Sequence, residues 1–214
     1  MLTLPPLYAI VDVDVCAARG RQPRDVMRGY LAGGARLLQL RAKTLPGGAF
    51  LDLASALSED AVAAGATLIV NDRADIAQLS DAAGVHVGQD DLSPADVRRV
   101  VGPQAIVGRS THTAEQIEGA TLEPISYLAI GPTFATSTKA TGYEAIGLGG
   151  VADAAKRASK HSLPVVAIGG ITLARAPEVL AAGAASVAVI SALLETGDPT
   201  RRVAEFLARL SGSG

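Results

Sequence analysis

This chain is poor in the residues that mark several familiar classes of protein. Its 214 residues include one cysteine, Cys16, so neither an internal disulfide framework nor a cysteine metal cluster can form. Cys16 has no visible partner in the sequence and reads as inert. Tryptophan is missing, and three phenylalanines and four tyrosines are too few rings for a base-stacking surface. Lysine and arginine total 19 against 21 acids, a net charge of −2, which leaves no basic footprint for nucleic acid. No apolar run approaches the roughly 20 residues of a membrane span. The opening MLTLPPLYAIVDVDV lacks a basic leader, and Asp12 and Asp14 interrupt its apolar run, so it makes a poor signal peptide. The expectation is a soluble cytoplasmic protein with neither nucleic acid nor membrane as partner; self-association stays open.

What the chain has in quantity is apolar residues, 49% of the total, and glycines placed in a pattern. Four phrases recur: LAGGARLLQL from 31, VAAGATLIVN from 62, DAAGVHVGQ from 81 and LAAGAASVAVI from 180. Each is a helix end, a glycine that can take the left-handed conformation closing a helix, and a short apolar strand. Reading outward from them gives eight strands, at 7–12, 37–41, 67–72, 84–87, 105–110, 125–131, 164–170 and 186–191. Helical patterns such as GGAFLDLASALSEDAVAAG, SPADVRRVVG, TAEQIEGA and PTRRVAEFLARL separate them. Ser93 before Pro94 reads as a helix N-cap with proline at N1, and Thr113, Thr172 and Thr200 read as further caps. Strict strand–helix alternation implies a parallel sheet covered by helices. Eight units in a chain above the lower limit of about 200 residues predict an α/β protein, a closed (β/α)8 TIM barrel, as one domain over 1–214. A doubly wound open sheet is the alternative, weakened by the lack of Gly-x-Gly-x-x-Gly after the first strand.

In such a barrel the chemistry lies at the carboxyl ends of the strands. Strand 2 continues as QLRAK, and period-two alternation puts Gln39, Arg41 and Lys43 on the face toward the barrel mouth, with Leu38 and Leu40 toward the helices. Two cations and an amide there call for an anion. Asn71 and Asp72 end strand 3, and Asp90 and Asp91 follow strand 4, its neighbour. Asp72 and one of that pair can therefore converge, and two carboxylates without histidine or cysteine ligands suit Mg²⁺. Ser110, at the end of strand 5, can hydrogen-bond a substrate. His112 has no acid placed to orient it and reads as structural, and His86 reads as packed at its strand. After strand 6, GPTFATSTKATG carries five hydroxyls and one ammonium, Lys139, the last element of a polyanion clamp. The clamp suits a diphosphate, with about three negative charges at neutral pH. After strands 7 and 8, Gly169 and Gly170 allow close backbone approach, and Ile190 and Ser191 can present N–H groups. That makes a second, neutral phosphate site.

Taken in order, QLRAK, NDRADIA, GVHVGQDD, GRSTHT, GPTFATSTK, AIGGI and VIS resemble the thiamine phosphate synthase family from LYAIVD to AVISAL. Departures are TLPGG after QLRAK and Val11 where the family has threonine; neither carries a role. The resemblance implies a transferase that joins 4-amino-2-methyl-5-(diphosphooxymethyl)pyrimidine to thiazole phosphate, or its carboxylated form, giving thiamine phosphate and diphosphate. It implies that Gln39, Arg41, Lys43, Asn71, Ser110 and Lys139 hold the pyrimidine diphosphate, with Arg41, Lys139 and Ser110 catalytic. Asp72 and Asp91 would ligate Mg²⁺. Thr136, Ser137, Thr138, Gly170, Ile190 and Ser191 would hold the thiazole phosphate. The competing readings are a thiazole tautomerase, needing a proton shuttle such as His112 and no metal, and a non-catalytic binder of phosphate ligands. Residues 133–147 read as the lid.

Overall fold

A computed structural model of the chain describes residues 2–136 and 142–212. Eight strands, β1 (Leu7–Asp12), β2 (Leu37–Arg41), β3 (Thr67–Asn71), β4 (Gly84–Val87), β5 (Ile106–Thr111), β6 (Tyr127–Ile130), β7 (Val165–Ile168) and β8 (Ser186–Val189), pair in parallel and in chain order. The pairing of β1 with β8 closes them into a barrel, as the strand–helix alternation predicts. The helices among the described residues are α1 (Val13–Ala18), α2 (Pro23–Ala32), α3 (Gly47–Ala63), α4 (Ala74–Leu79), α5 (Pro94–Val101), α6 (Ala114–Thr121), α7 (Gly147–Ser159), α8 (Ala176–Ala181) and α9 (Pro199–Ser211). None of them is long and apolar enough to cross a membrane.

The strands read as near-continuous apolar runs because both of their faces are covered. Leu38, Leu40, Val70, Val85, Val107 and Val187 face outward, into one core with helix residues such as Met27, Phe50, Ala54 and Phe206. The alternate positions, including Tyr8, Ile10, Leu37, Ile69, Tyr127 and Val166, form a separate cluster inside the barrel. The inner layer is finished by Gly108 on β5. A Cβ there would lie 2.1 Å from Tyr127 Cζ and 2.5 Å from His86 Nδ1. Its absence lets the His86 and Tyr127 rings stack at 5.5 Å between centroids, 18° from parallel.

Two helix starts follow expectation. Ser93 Oγ accepts from the Asp96 N–H, and Thr113 Oγ1 from the Gln116 N–H. Two do not. Asp198 caps α9 in place of Thr200, because Pro199 starts the helix two residues earlier and puts Thr200 in its first turn. Thr172 caps nothing. Its backbone carbonyl takes the N–H groups of Arg175 and Ala176, so the chain turns before α8 begins.

Gly108→Ala overpacks the barrel interior and is expected to destabilise by about 1–3 kcal/mol. In a domain of this size that lowers Tm by roughly 2–4 °C per kcal/mol in thermal denaturation. An unchanged Tm would show that the interior does not depend on this close approach.

Candidate active site

The carboxyl ends of the strands open into a cavity of about 580 Å³. That is within the range of small-molecule sites. Its floor is a hydrogen-bonded chain crossing the barrel. Gln39 Nε2 donates to Tyr8 Oη (2.9 Å), Tyr8 Oη meets Tyr127 Oη (3.0 Å), Tyr127 Oη meets His86 Nδ1 (2.9 Å), and His86 Nε2 meets Ser110 Oγ (2.8 Å). Burial pushes both phenols well above the ordinary tyrosine value, so they stay neutral. The orientation that also gives the buried Tyr8 proton an acceptor runs from Tyr8 to Tyr127, from Tyr127 to His86 Nδ1, and from His86 Nε2–H to Ser110. That leaves the Ser110 proton for a ligand. His86 is therefore packed at its strand, as the sequence suggests, and also orients Ser110.

Charges gather along the rim from β1 to β4. Arg41 pairs with Asp12, whose other carboxylate oxygen caps α1 by accepting the Val15 N–H (3.0 Å). Lys43 pairs with Asp72. The anion that these cations call for is present within the chain: each is met by a carboxylate, Asp12 or Asp72, supplied by the neighbouring strand end. Asp72 leaves β3 at φ 65°, a left-handed conformation that Asp tolerates, and its N–H donates to the His86 carbonyl (2.7 Å). This turns its carboxyl toward that of Asp91, near enough for each to influence the other's ionisation. Asp91 is held in turn by the Gly88 N–H (2.7 Å). Burial pushes the Asp72 carboxyl above its ordinary value, against Lys43 and reinforced by Asp91. Asp91 is also pushed up by burial, but its hydrogen bonds with Asp72 and the Gly88 N–H bring it below the ordinary value. Of the two candidates after strand 4, Asp91 converges with Asp72, while Asp90 is exposed. No cluster of three or more His, Cys, Asp or Glu side chains suited to a metal is assembled among the described residues.

Across the mouth the wall is mostly small and apolar, with backbone laid bare at Gly131, Gly169 and Gly170. Gly169 (φ 102°) and Gly170 (φ 64°) need the conformation that favours glycine, and a Cβ on Gly170 would lie 2.6 Å from the Ala135 carbonyl. The Thr133 and Phe134 N–H groups donate to Ile168 (2.8 Å) and Gly169 (2.9 Å), and Ile146 and Gly147 return to Pro132 (3.0 Å) and Thr133 (2.9 Å). Both legs of the expected lid are thus anchored. Ser137, Thr138 and Lys139 lie outside the described residues.

Gln39, Arg41, Asn71, Ser110, Thr136, Gly170, Ile190 and Ser191 all line the cavity. Lys43, Asp72 and Asp91 form the linked group on its rim. His112 also lines it, with Nδ1 bonded to the Gly131 carbonyl and the ring stacked on Tyr143 at 4.1 Å. Sequence reasoning missed Tyr8, Tyr127, Asp12 and Arg175. The first two were within reach, since Tyr8 shares the inward parity of Ile10. Arg175 sits in a turn, where no periodicity says which way it faces.

Barrel enzymes work at this face, and a pocket with paired charges on one side and bare backbone on the other makes this an enzyme for small anionic molecules. The family model for thiamine monophosphate synthase matches residues 7–193. The chain is 46% identical over 211 residues to the thiamine-phosphate synthase of Koribacter versatilis, covering 96% of each chain. It is 42% identical to that of Methanoculleus marisnigri, covering 97% of this chain and 96% of the relative. The solved thiamine phosphate pyrophosphorylase of Pyrococcus furiosus superposes with a TM-score of 0.86 at 30% identity, covering 97% and 96% of the two chains. The chain belongs to the thiamine monophosphate synthase family.

Because the folded pKa of Asp72 is raised, its contribution to stability is full in acid, below the ordinary carboxylate range. It is lost as pH rises through the raised value. Asp72→Asn removes the burial penalty of the ionised group, and asparagine accepts the left-handed backbone. At pH 7 the variant is expected to keep or raise Tm in thermal melts. A fall of several degrees would mean that the Lys43 pair outweighs burial.

Proposed function

We propose that the chain condenses 4-amino-2-methyl-5-(diphosphooxymethyl)pyrimidine with thiazole phosphate, or its carboxylated form, to give thiamine phosphate and diphosphate. We place it in the cytoplasm, acting as one catalytic domain. The observation that carries this reading is the rim of Arg41, Lys43, Asp72 and Asp91 beside a cavity whose opposite wall is glycine backbone.

Asp72 and Asp91 suit Mg²⁺. They are two adjacent carboxylates that repel when both are ionised, and Lys43 is the cation beside them. A hard divalent ion with few protein ligands takes its remaining oxygens from water and phosphate. When bound, Mg²⁺ would supply positive charge against the leaving diphosphate.

The chain's own residues do the rest. Arg41, Lys43 and Lys139 hold the diphosphate and offset the charge that builds on it as the bond from the pyrimidine methylene to oxygen breaks. The electron-rich aminopyrimidine carries the resulting cation, with Gln39, Asn71 and Ser110 orienting the ring. Thr136, Ser137 and Thr138, with the backbone at Gly170, Ile190 and Ser191, hold the thiazole phosphate so that its ring nitrogen meets that carbon. Two partners fixed in one cavity replace a bimolecular encounter. The bond-forming step needs no general base. This agrees with His112, whose ring is engaged by Gly131 and Tyr143 and is poorly placed for the shuttle a tautomerase needs.

Mixing the protein with both substrates and Mg²⁺ is expected to yield thiamine phosphate, and EDTA to stop it. Arg41→Ala and Lys139→Ala are each expected to lower kcat by about 10²–10³-fold with the fold intact by circular dichroism. Wild-type rates in either variant, or full activity in EDTA, would contradict the clamp.

A further inference from the structure

The wall on the β7 side holds a cation that the reading above does not use. Arg175 closes the turn after β7 and lines the cavity with Gly169, Gly170 and Thr136. The other charged groups on the cavity wall have partners: Arg41 has Asp12, and Glu195 has Arg202 (3.2 Å). Arg175 takes part in no ion pair among the described residues. Its guanidinium carbon instead lies 4.4 Å from the centroid of the Phe134 ring. Such a contact sets the positive charge against the ring face and uses no hydrogen bond. It is weak at an exposed site and leaves the N–H groups on the guanidinium edge to donate to a ligand. That edge matches a carboxylate or a phosphate through two parallel hydrogen bonds. Phe134 is held at its backbone, where its N–H donates to the Gly169 carbonyl (2.9 Å), and its ring packs against the core.

Position says which substrate the fork meets. In the closed order of eight strands, β7 stands opposite β3, whose end carries Asp72. A cation on β7 is thus remote from the diphosphate rim and beside the glycine-built wall. We propose that Arg175 is a specificity-determining residue that grips an anionic group, carboxylate or phosphate, of the thiazole substrate. This rests on the reaction proposed above.

The test is steady-state kinetics of Arg175→Gln and Arg175→Lys with thiazole phosphate and with its carboxylated form. Loss of one charged hydrogen-bonding partner raises KM for the thiazole substrate roughly tenfold or more in the glutamine variant. KM for the pyrimidine diphosphate, bound across the barrel, stays within about twofold. The lysine variant, with the charge but not the fork, falls between. An effect confined to the carboxylated substrate identifies the carboxylate as the group held, and an equal effect with both identifies the phosphate. Unchanged KM with both, or an equal rise in KM for the pyrimidine, overturns the assignment while wild-type turnover leaves the proposed reaction standing. A wild-type protein that makes no thiamine phosphate overturns both.

Discussion

The pairing of Lys43 with Asp72, and of Asp72 with Asp91, joins the ends of β2, β3 and β4 at one rim of the barrel. None of these side chains is close to the others in sequence. They meet because parallel strands in chain order deliver their carboxyl ends to the same edge, and because Asp72 leaves β3 in a left-handed conformation that turns its carboxyl toward β4. The cluster is costly as built. Burial and a second carboxylate oppose the ionised form of Asp72, and a single half-exposed lysine offsets them. A group kept in this state at a cavity mouth has the character of a functional site, where pKa values are commonly perturbed.

Behind the rim, the barrel interior departs from a purely apolar filling. Tyr8, Gln39, Tyr127 and His86 are buried, yet each polar tip named in the floor chain finds another. In a low-dielectric interior such a chain is stable only when complete. Its two ends, Gln39 and Ser110, both look into the cavity. The interior therefore sets the direction of two side chains assigned to the pyrimidine, and Gly108 makes the room for it.

The two sides of the mouth are built on different physics. From β1 to β4 the wall is charge meeting charge. At β7 and β8 it is backbone brought close by glycines at positive φ, with Arg175 stacked on Phe134 as its exception. A site of this kind presents unlike walls to its two substrates, full charges on one side and glycine-exposed backbone on the other.

The architecture was legible in the sequence. Helix-ending glycines followed by short apolar runs are local signals, and eight strands alternating with helices leave few topologies. Strand limits were read to within two residues; the misses, such as Asp72, Ile190 and Ser191 lying just past their strands, fall where the backbone turns to serve the site. The facing of Gln39 and Arg41 was legible too, because a strand alternates with period two. Pairing was not. That Asp12 would answer Arg41, that Asp91 and not Asp90 would meet Asp72, and that Tyr8 would reach Tyr127 across 119 positions are facts of barrel closure. The caps divide the same way: Ser93 and Thr113 act through neighbours three residues on, whereas Thr172 and Thr200 lost their places to turns and prolines. Sequence determines what is periodic or local, because those patterns are carried by adjacent residues. Which charges meet, and which way a turn residue such as Arg175 faces, was decided only once distant strands were brought to one rim.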